Sequence, residues 1–209
     1  MCDVVVVGDA DTDIFLEIPH IPTWDEGVVA KRVLKRAGGK GANFAAALSV
    51  LGVSTGLLAC VGDDEYGQIA KAALEQHLVD TSHVLTIPGQ ATYYCIMLLD
   101  PTGEKALVVV KTPIIYPQPA QIKANSEYLI SAKHVHTIGL DPDKVQEALI
   151  IARQGGRSTS VDLDSASAGL AKSQALLEHS SIVFVNERGA RLLFDNEDLE
   201  RAGKSLVAL

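Results

Sequence analysis

RAGGKGANFAAALSVLG, residues Arg36 to Gly52, places three glycines and a lysine ahead of an alanine-rich run that closes on a fourth glycine. A glycine inside a helix costs about 1 kcal/mol relative to alanine, so this crowding of small residues implies that something approaches the backbone closely. The run predicts a helix over Ala42–Leu51, with Gly52 just past its C-terminus and a small-residue face able to lie close to a sheet. Gly38 and Gly39 then fall at the helix N-terminus, where unpaired N–H groups and the positive dipole end suit a ligand oxygen. Asn43 lies one turn further on, and its amide leans back toward the same point, while Lys40 adds a cation. Two readings stay open: tight helix–sheet packing with a turn, or a ligand site. The string does not match the phosphate-binding Walker spacing, and no Ser or Thr follows the lysine.

Outward from this stretch, β-branched runs ending at glycine or aspartate alternate with helical patterns. Strands are expected at Val4–Gly8, Ser54–Gly62, His134–Gly139, Ser158–Asp164 and Ser181–Glu187. Helices are expected at Glu65–His77, Lys144–Arg153, Leu170–His179 and Glu197–Leu209. This rhythm predicts right-handed βαβ units and a mainly parallel sheet covered on both faces. Two regions break it. Asp13–Arg36 holds alternating segments and prolines, and Thr92–Val110 reads as a hairpin turning at Asp100-Pro101-Thr102-Gly103. Together, within 13–36 and 92–112, they predict a small separate β-sheet placed as a lid.

GDADTD, Gly8 to Asp13, follows the first strand at the carboxyl edge of the sheet, where such folds bind ligands. Asp11 and Asp13 are two apart and share a side in extended backbone. Their carboxylates accept hydrogen bonds from the hydroxyls of a sugar or other polyol, complementing the donors at Gly38, Gly39, Lys40 and Asn43. A solvated loop with Asx turns is the competing reading.

The 209 residues carry 26 acidic and 18 basic side chains, a net charge of −8, which argues against nucleic acid or an anionic membrane as partner. Cys2, Cys60 and Cys95 match no zinc spacing and sit in apolar runs, so they read as buried reduced thiols. With neither a signal peptide nor an apolar run of membrane-spanning length, the chain is expected to be cytoplasmic. His134 and His136 share a strand face, but a metal pair lacks an evident third ligand, and they read as buried or hydrogen-bonded histidines. Trp24 is expected to pack within the lid, and either Tyr93 or Tyr94 to face the site or a partner.

On these segments the sequence resembles the ribokinase-like, or PfkB, carbohydrate kinases. AGGKGANFAAALSVLG is similar to the family's first signature. VVVVGDADTDIFLEIPHIP resembles its opening strand and lid, TYYCIMLLDPTGEKALVV its second lid pair, and VDLD and FVNERGARLLF two later segments. The resemblance implies one three-layer α/β/α domain over residues 1–209, with a mainly parallel sheet and a small β lid. It implies ATP-dependent, Mg²⁺-assisted phosphorylation of a sugar hydroxyl by positioning and charge stabilisation. Asp11, Asp13, Gly39, Lys40 and Asn43 would hold the sugar, with Gly38 supporting the turn. Asn186 would lie on the nucleotide side, and a homodimer would form through the lid.

The sequence departs from the family in several places. Gly189 stands where the family's Asn-x-x-Glu motif has its glutamate, and Asp141 only approximates a carboxylate after the strand His134–Gly139. An arginine common after the strand ending at Asp164 is replaced by Ser165-Ala166-Ser167. The family's Gly-Ala-Gly-Asp motif, source of its catalytic aspartate, is absent, so the domain reads as truncated at its C-terminus and no catalytic residue is nominated. A non-catalytic sugar-binding or regulatory relative and a nucleoside kinase of the same fold are the alternatives.

Overall fold

The computed structural model describes residues 2–139, 141–163, 169–194, 200, 201, 203 and 204. In chain order the elements are β1 (Val4–Val7), β2 (Asp11–Glu17), β3 (Arg32–Gly38), α1 (Lys40–Val50), β4 (Thr55–Gly62), α2 (Glu65–Gln76), β5 (Val84–Ile87), β6 (Tyr94–Leu99) and β7 (Lys105–Val110). They continue as α3 (Pro119–Ala124), α4 (Ser126–Ser131), β8 (His134–Ile138), α5 (Pro142–Gln154), β9 (Ser158–Asp162), α6 (Gly169–Glu178), β10 (Ile182–Phe184) and α7 (Glu187–Phe194). Asp164, Ser165, Ala166, Ser167 and most of the helix expected over 197–209 lie outside the described residues.

Six strands form a wholly parallel sheet in the order β10-β9-β8-β1-β4-β5. The valine run of β1 is buried on both faces, as a central parallel strand requires. Val6 joins Leu57, Ala59 and Val61 of β4 beneath Ala42 and Ala45 of α1 and Ala70 and Leu74 of α2. Val5 and Val7 turn the other way, to Ile122, Leu129, Ala148 and Ala152 of α3, α4 and α5. Alternate residues of one strand thus feed two helical layers, giving the three-layer sandwich expected from the βαβ rhythm. The strand order reverses at β1, which has β4 on one side and β8 on the other. The crevice at such a reversal, outside the carboxyl ends of the strands, is where open α/β sheets bind ligands.

The second sheet, β3-β2-β6-β7, is mixed: β2 pairs antiparallel with β3 and parallel with β6, and β6 pairs antiparallel with β7. The hairpin turns at the expected residues, with the Gly103 N–H donating to the Asp100 carbonyl at 3.1 Å. Side-chain hydrogen bonds tie the second sheet to the main body, among them Lys35 of β3 donating to Glu65 of α2 at 2.8 Å. Thr12 Oγ1 donates to the Tyr66 carbonyl at 3.0 Å. Buried Thr92 accepts from the Gly62 N–H at 2.8 Å and donates through its own N–H to Asp64 Oδ2 at 2.9 Å. Asp64 also caps α2 through the Gly67 N–H.

Trp24 departs from expectation. It is fully exposed, at the tip of the β2–β3 connection rather than packed. That tip is closed by polar contacts, His20 to Glu26 at 2.6 Å and the Thr23 N–H to Glu26 at 2.9 Å, which hold the turn without an apolar surface beneath it. The three cysteines are free and buried as expected.

Candidate functional site

The glycines around α1 divide between the two readings left open by the sequence. A Cβ on Gly41 would lie 2.9 Å from the Gly8 Cα, and one on Gly39 would lie 2.8 Å from the Asp9 carbonyl, so both are needed where β1's exit loop meets the helix. Gly39 also sits at φ +95°, in the left-handed region that favours glycine. Gly38 answers to side chains instead. It pairs with Asp11 across β2 and β3, and a Cβ there would overlap Asp11 Oδ1 and lie 2.6 Å from Asp13 Oδ2. Two carboxylates therefore converge over a residue that has no side chain.

The expectation of open N–H groups at the helix start needs correction. Asp9 Oδ1 accepts from the Gly41 N–H at 2.8 Å, and the Asp9 carbonyl accepts from the Ala42 N–H at 3.0 Å. A carboxylate from the neighbouring loop has taken the positive pole of the dipole, the interaction an N-cap would make. Nothing marked Asp9 for this role in the sequence; it was one of three acids in GDADTD.

Asp9 and Asp11 are 4% and 3% exposed, and Asp13 is half-buried beside them. Burial, then the charges of Asp9 and Asp13, push the Asp11 carboxyl up to about 8. Asp13 is raised by burial and by Asp9, with Lys105 opposing. Asp11 Oδ1 is buried with no hydrogen-bond partner in the protein. Such an atom carries the full cost of desolvation unless a donor arrives, and a hydroxyl is a donor of the right size.

Other expected residues take distinct positions. Lys40 is exposed at the head of α1. Asn43 is exposed and lines, with Ala37, Gly38, Ala42, Ala73 and His77, a cavity of about 90 Å³ whose described walls include neither aspartate. Burial, then its contact with Cys95, raises the Tyr93 phenol, with Asp11 and Asp9 adding to the shift. Tyr94 packs against Tyr66. Asp141 precedes α5 and pairs with Lys144 at 3.2 Å. Tyr116, not singled out in the sequence, is buried in the neighbourhood of Asp9, Tyr93, Asp141 and Asp11, all of which raise its pKa after burial itself.

Toward the other end of the sheet, Asn186 caps α7: its Oδ1 accepts from the Gly189 N–H at 2.7 Å. Glu187 pairs with Arg191 at 2.7 Å along the same helix, away from any role as the motif glutamate. A hollow of about 460 Å³ beside Glu187, Arg188, Arg191 and Leu192 contains none of the buried unpartnered polar atoms. His134 and His136 both bond Ser160 Oγ, at 2.7 and 2.8 Å, and His136 stacks on Phe44 at 3.8 Å; His136 is buried and His134 half-buried. Among the described residues no group of three or more His, Cys, Asp or Glu is placed to hold a metal ion.

Comparison with known proteins agrees with this architecture. An ATP-dependent ribose-1-phosphate kinase of Halopiger xanaduensis is 28% identical over 197 residues, covering 94% of this chain and 66% of the relative. A ribokinase of Haemophilus influenzae is 27% identical over 197 residues, covering 91% and 61% respectively. The chain thus spans under two thirds of the length of these curated relatives. Among solved structures, an Arabidopsis thaliana ribokinase complexed with ribose and ATP superposes with a TM-score of 0.83 at 22% identity, over 99% of this chain and 69% of that one. A PfkB protein from Polaromonas superposes at 0.85 with 22% identity, over 100% and 74%. At these identities the structural likeness is one of fold. The model of the pfkB family carbohydrate kinases matches residues 1–208, and with the lid, the acid pair and the glycine-rich helix start in place, the chain belongs to that family.

Proposed function

We propose that the chain forms the sugar-holding part of a kinase that transfers the γ-phosphoryl group of ATP to a hydroxyl of a sugar or sugar-like polyol. One observation carries the reading. A buried, unpartnered Asp11 oxygen stands beside Asp13 over Gly38, at the reversal point of a parallel sheet and at the base of a β lid. In this reading Asp11 and Asp13 accept from substrate hydroxyls, Gly38 and Gly39 leave room for them, and Lys40 and Asn43 close the rim. Family membership supports ATP as donor and Mg²⁺ as its partner. The described residues do not by themselves fit a magnesium–phosphate site, because the Asn186 Oδ1 is committed to the Gly189 N–H and no metal-ligand cluster accompanies it. That same substitution of glycine for glutamate favours, as a second reading, a relative that binds sugar without phosphorylating it.

A nucleoside whose ribose docks in the same place is the remaining alternative, supported by a 30% identity over 166 residues to a pseudouridine kinase of Escherichia coli. A homodimer through the lid is supported by Leu107, Val108 and Val109, exposed in sequence on the edge strand β7. Three buried free thiols suit a reducing, cytoplasmic setting. Calorimetric titration with D-ribose, D-fructose and pseudouridine, followed by ADP release with MgATP, tests the reading. A sugar that binds and is turned over, with loss of both in a folded Asp13→Ala variant, is the expected result. Unchanged kinetics in that variant would refute the site.

A further inference from the structure

Asp13 and Arg36 lie directly opposite each other across β2 and β3, so their side chains leave the sheet on the same face. An acid and a base so placed ordinarily close into an ion pair. Here the pair stays open, because the two side chains lean apart. The Asp13 carboxylate lies over Gly38, where an added Cβ would be 2.6 Å from its Oδ2. The Arg36 guanidinium lies over Phe15, 5.9 Å from the ring centroid. Gly38 pairs with Asp11 and Phe15 with Leu34, so these contacts fall on opposite sides of the Asp13–Arg36 pair along the strands.

One face of the lid sheet thus has two ends of opposite character. Toward Asp11 it is acidic, with Asp13 half-buried and Asp11 buried beside it. Toward Phe15 it is cationic, and Arg36 there is exposed. A guanidinium lying over a ring is held in place by its face and keeps its planar N–H fork for an anion, which a phosphate or a carboxylate matches with two parallel hydrogen bonds. The Asp11–Gly38 and Phe15–Leu34 pairs are four residues apart along β2, about 13 Å. A polyol seated at the acids covers part of that length, and an anionic group at its far end covers the rest. Turned the other way, the anion would meet Asp11 and Asp13, so the charges also fix the direction in which such a molecule lies.

We propose that Arg36 is a specificity-determining residue of the sugar site, receiving a phosphate or carboxylate carried by the same polyol whose hydroxyl donates to Asp13, so that the site takes acidic sugars in preference to neutral ones. The inference rests on the site reading given under Proposed function. It is tested by calorimetric titration of the intact protein and its Arg36→Gln and Arg36→Lys variants with D-ribose, ribose 1-phosphate, ribose 5-phosphate and D-gluconate, alongside thermal melting of all three proteins without ligand.

The expected result is that the wild type binds at least one acidic ligand about 10-fold or more tightly than D-ribose, the phosphates and the gluconate telling which anion the fork accepts. Arg36→Gln should weaken that ligand by about 10- to 100-fold, the worth of a hydrogen bond to a charged group, and weaken D-ribose far less. Arg36→Lys should restore only part of the preference, because a point charge lacks the fork. The melting temperature should stay close to that of the wild type in both variants, since Arg36 is exposed. D-Ribose binding as tightly as every acidic ligand would overturn the inference while leaving the site reading in place. An equal loss of neutral and acidic ligands in Arg36→Gln would assign the residue to structure and overturn it too. If the wild type binds none of the four, the site reading itself fails and this inference falls with it.

Discussion

Replacing Asp11 with asparagine changes one atom of a buried group and should separate the two costs that the site imposes on the fold. The Asp11 carboxyl is raised from its ordinary value of 3.8 to about 8, first by burial and then by Asp9 and Asp13. Between those two values the folded protein binds more protons at this residue than the unfolded chain does. Its contribution to stability is therefore complete below about pH 4, declines as pH rises, and levels off only once pH passes the folded-state value. From about pH 6 to that levelling point the loss covers roughly two pH units at about 1.4 kcal/mol each, so about 2–3 kcal/mol disappears by about pH 9. Asparagine has the same shape and does not titrate. The stability of Asp11→Asn minus that of the wild type should therefore widen by about 2–3 kcal/mol between about pH 6 and about pH 9, read from urea unfolding at each pH. The same variant should bind a sugar at least about 10-fold more weakly, because an amide NH₂, a donor only, replaces a carboxyl oxygen that would accept from a sugar hydroxyl. Parallel pH profiles for the two proteins would mean that Asp11 is already ionised in the fold at about pH 6, and the argument from burial and crowded charge would be wrong.

Two further outcomes follow from the packing. Gly38→Ala should abolish sugar binding and cost about 2–4 kcal/mol in chemical denaturation, since its methyl group would meet Asp11 and Asp13 together; near-wild-type binding would show that the carboxylates have room to part. His136, fully buried against Phe44, is lowered to about 4 by burial, with His134 adding to the effect, so the protein should lose stability as pH falls from about 6.5 toward about 4. His136→Phe should flatten that limb of the pH–stability curve, and an unchanged acid limb would exclude His136 as its source.

The parallel sheet and its helices were legible because their signals are long or doubly buried: the valines of β1, the eight buried residues of β4, the alanine face of α1. β5 and the six-residue helices α3 and α4 were not foreseen, since four to six residues carry too little of any period to declare themselves. The second sheet has four strands, and its strands β2 and β3 extend two residues past the expected edges at 13 and 36, to Asp11 and Gly38, so that Asp11, Asp13 and Gly38 lie within that sheet rather than beneath it. Asp9 and Tyr116 escaped for a different reason. The bond from the Gly41 N–H to Asp9 joins residues 32 apart, and the neighbours of Tyr116 come from three separate stretches of chain. Partners of that kind are set by tertiary contact and leave no local pattern. For Trp24, the polar closure of the turn by Glu26 outweighed the ring's preference for cover.

Asp11 opens β2 only a few residues after β1 ends, and the intervening Gly8 and Asp9 are pinned against the head of α1. The acids thus ride on the cover, while the glycine-rich tip belongs to the body below it. A molecule gripped by both would act as a clasp between the two.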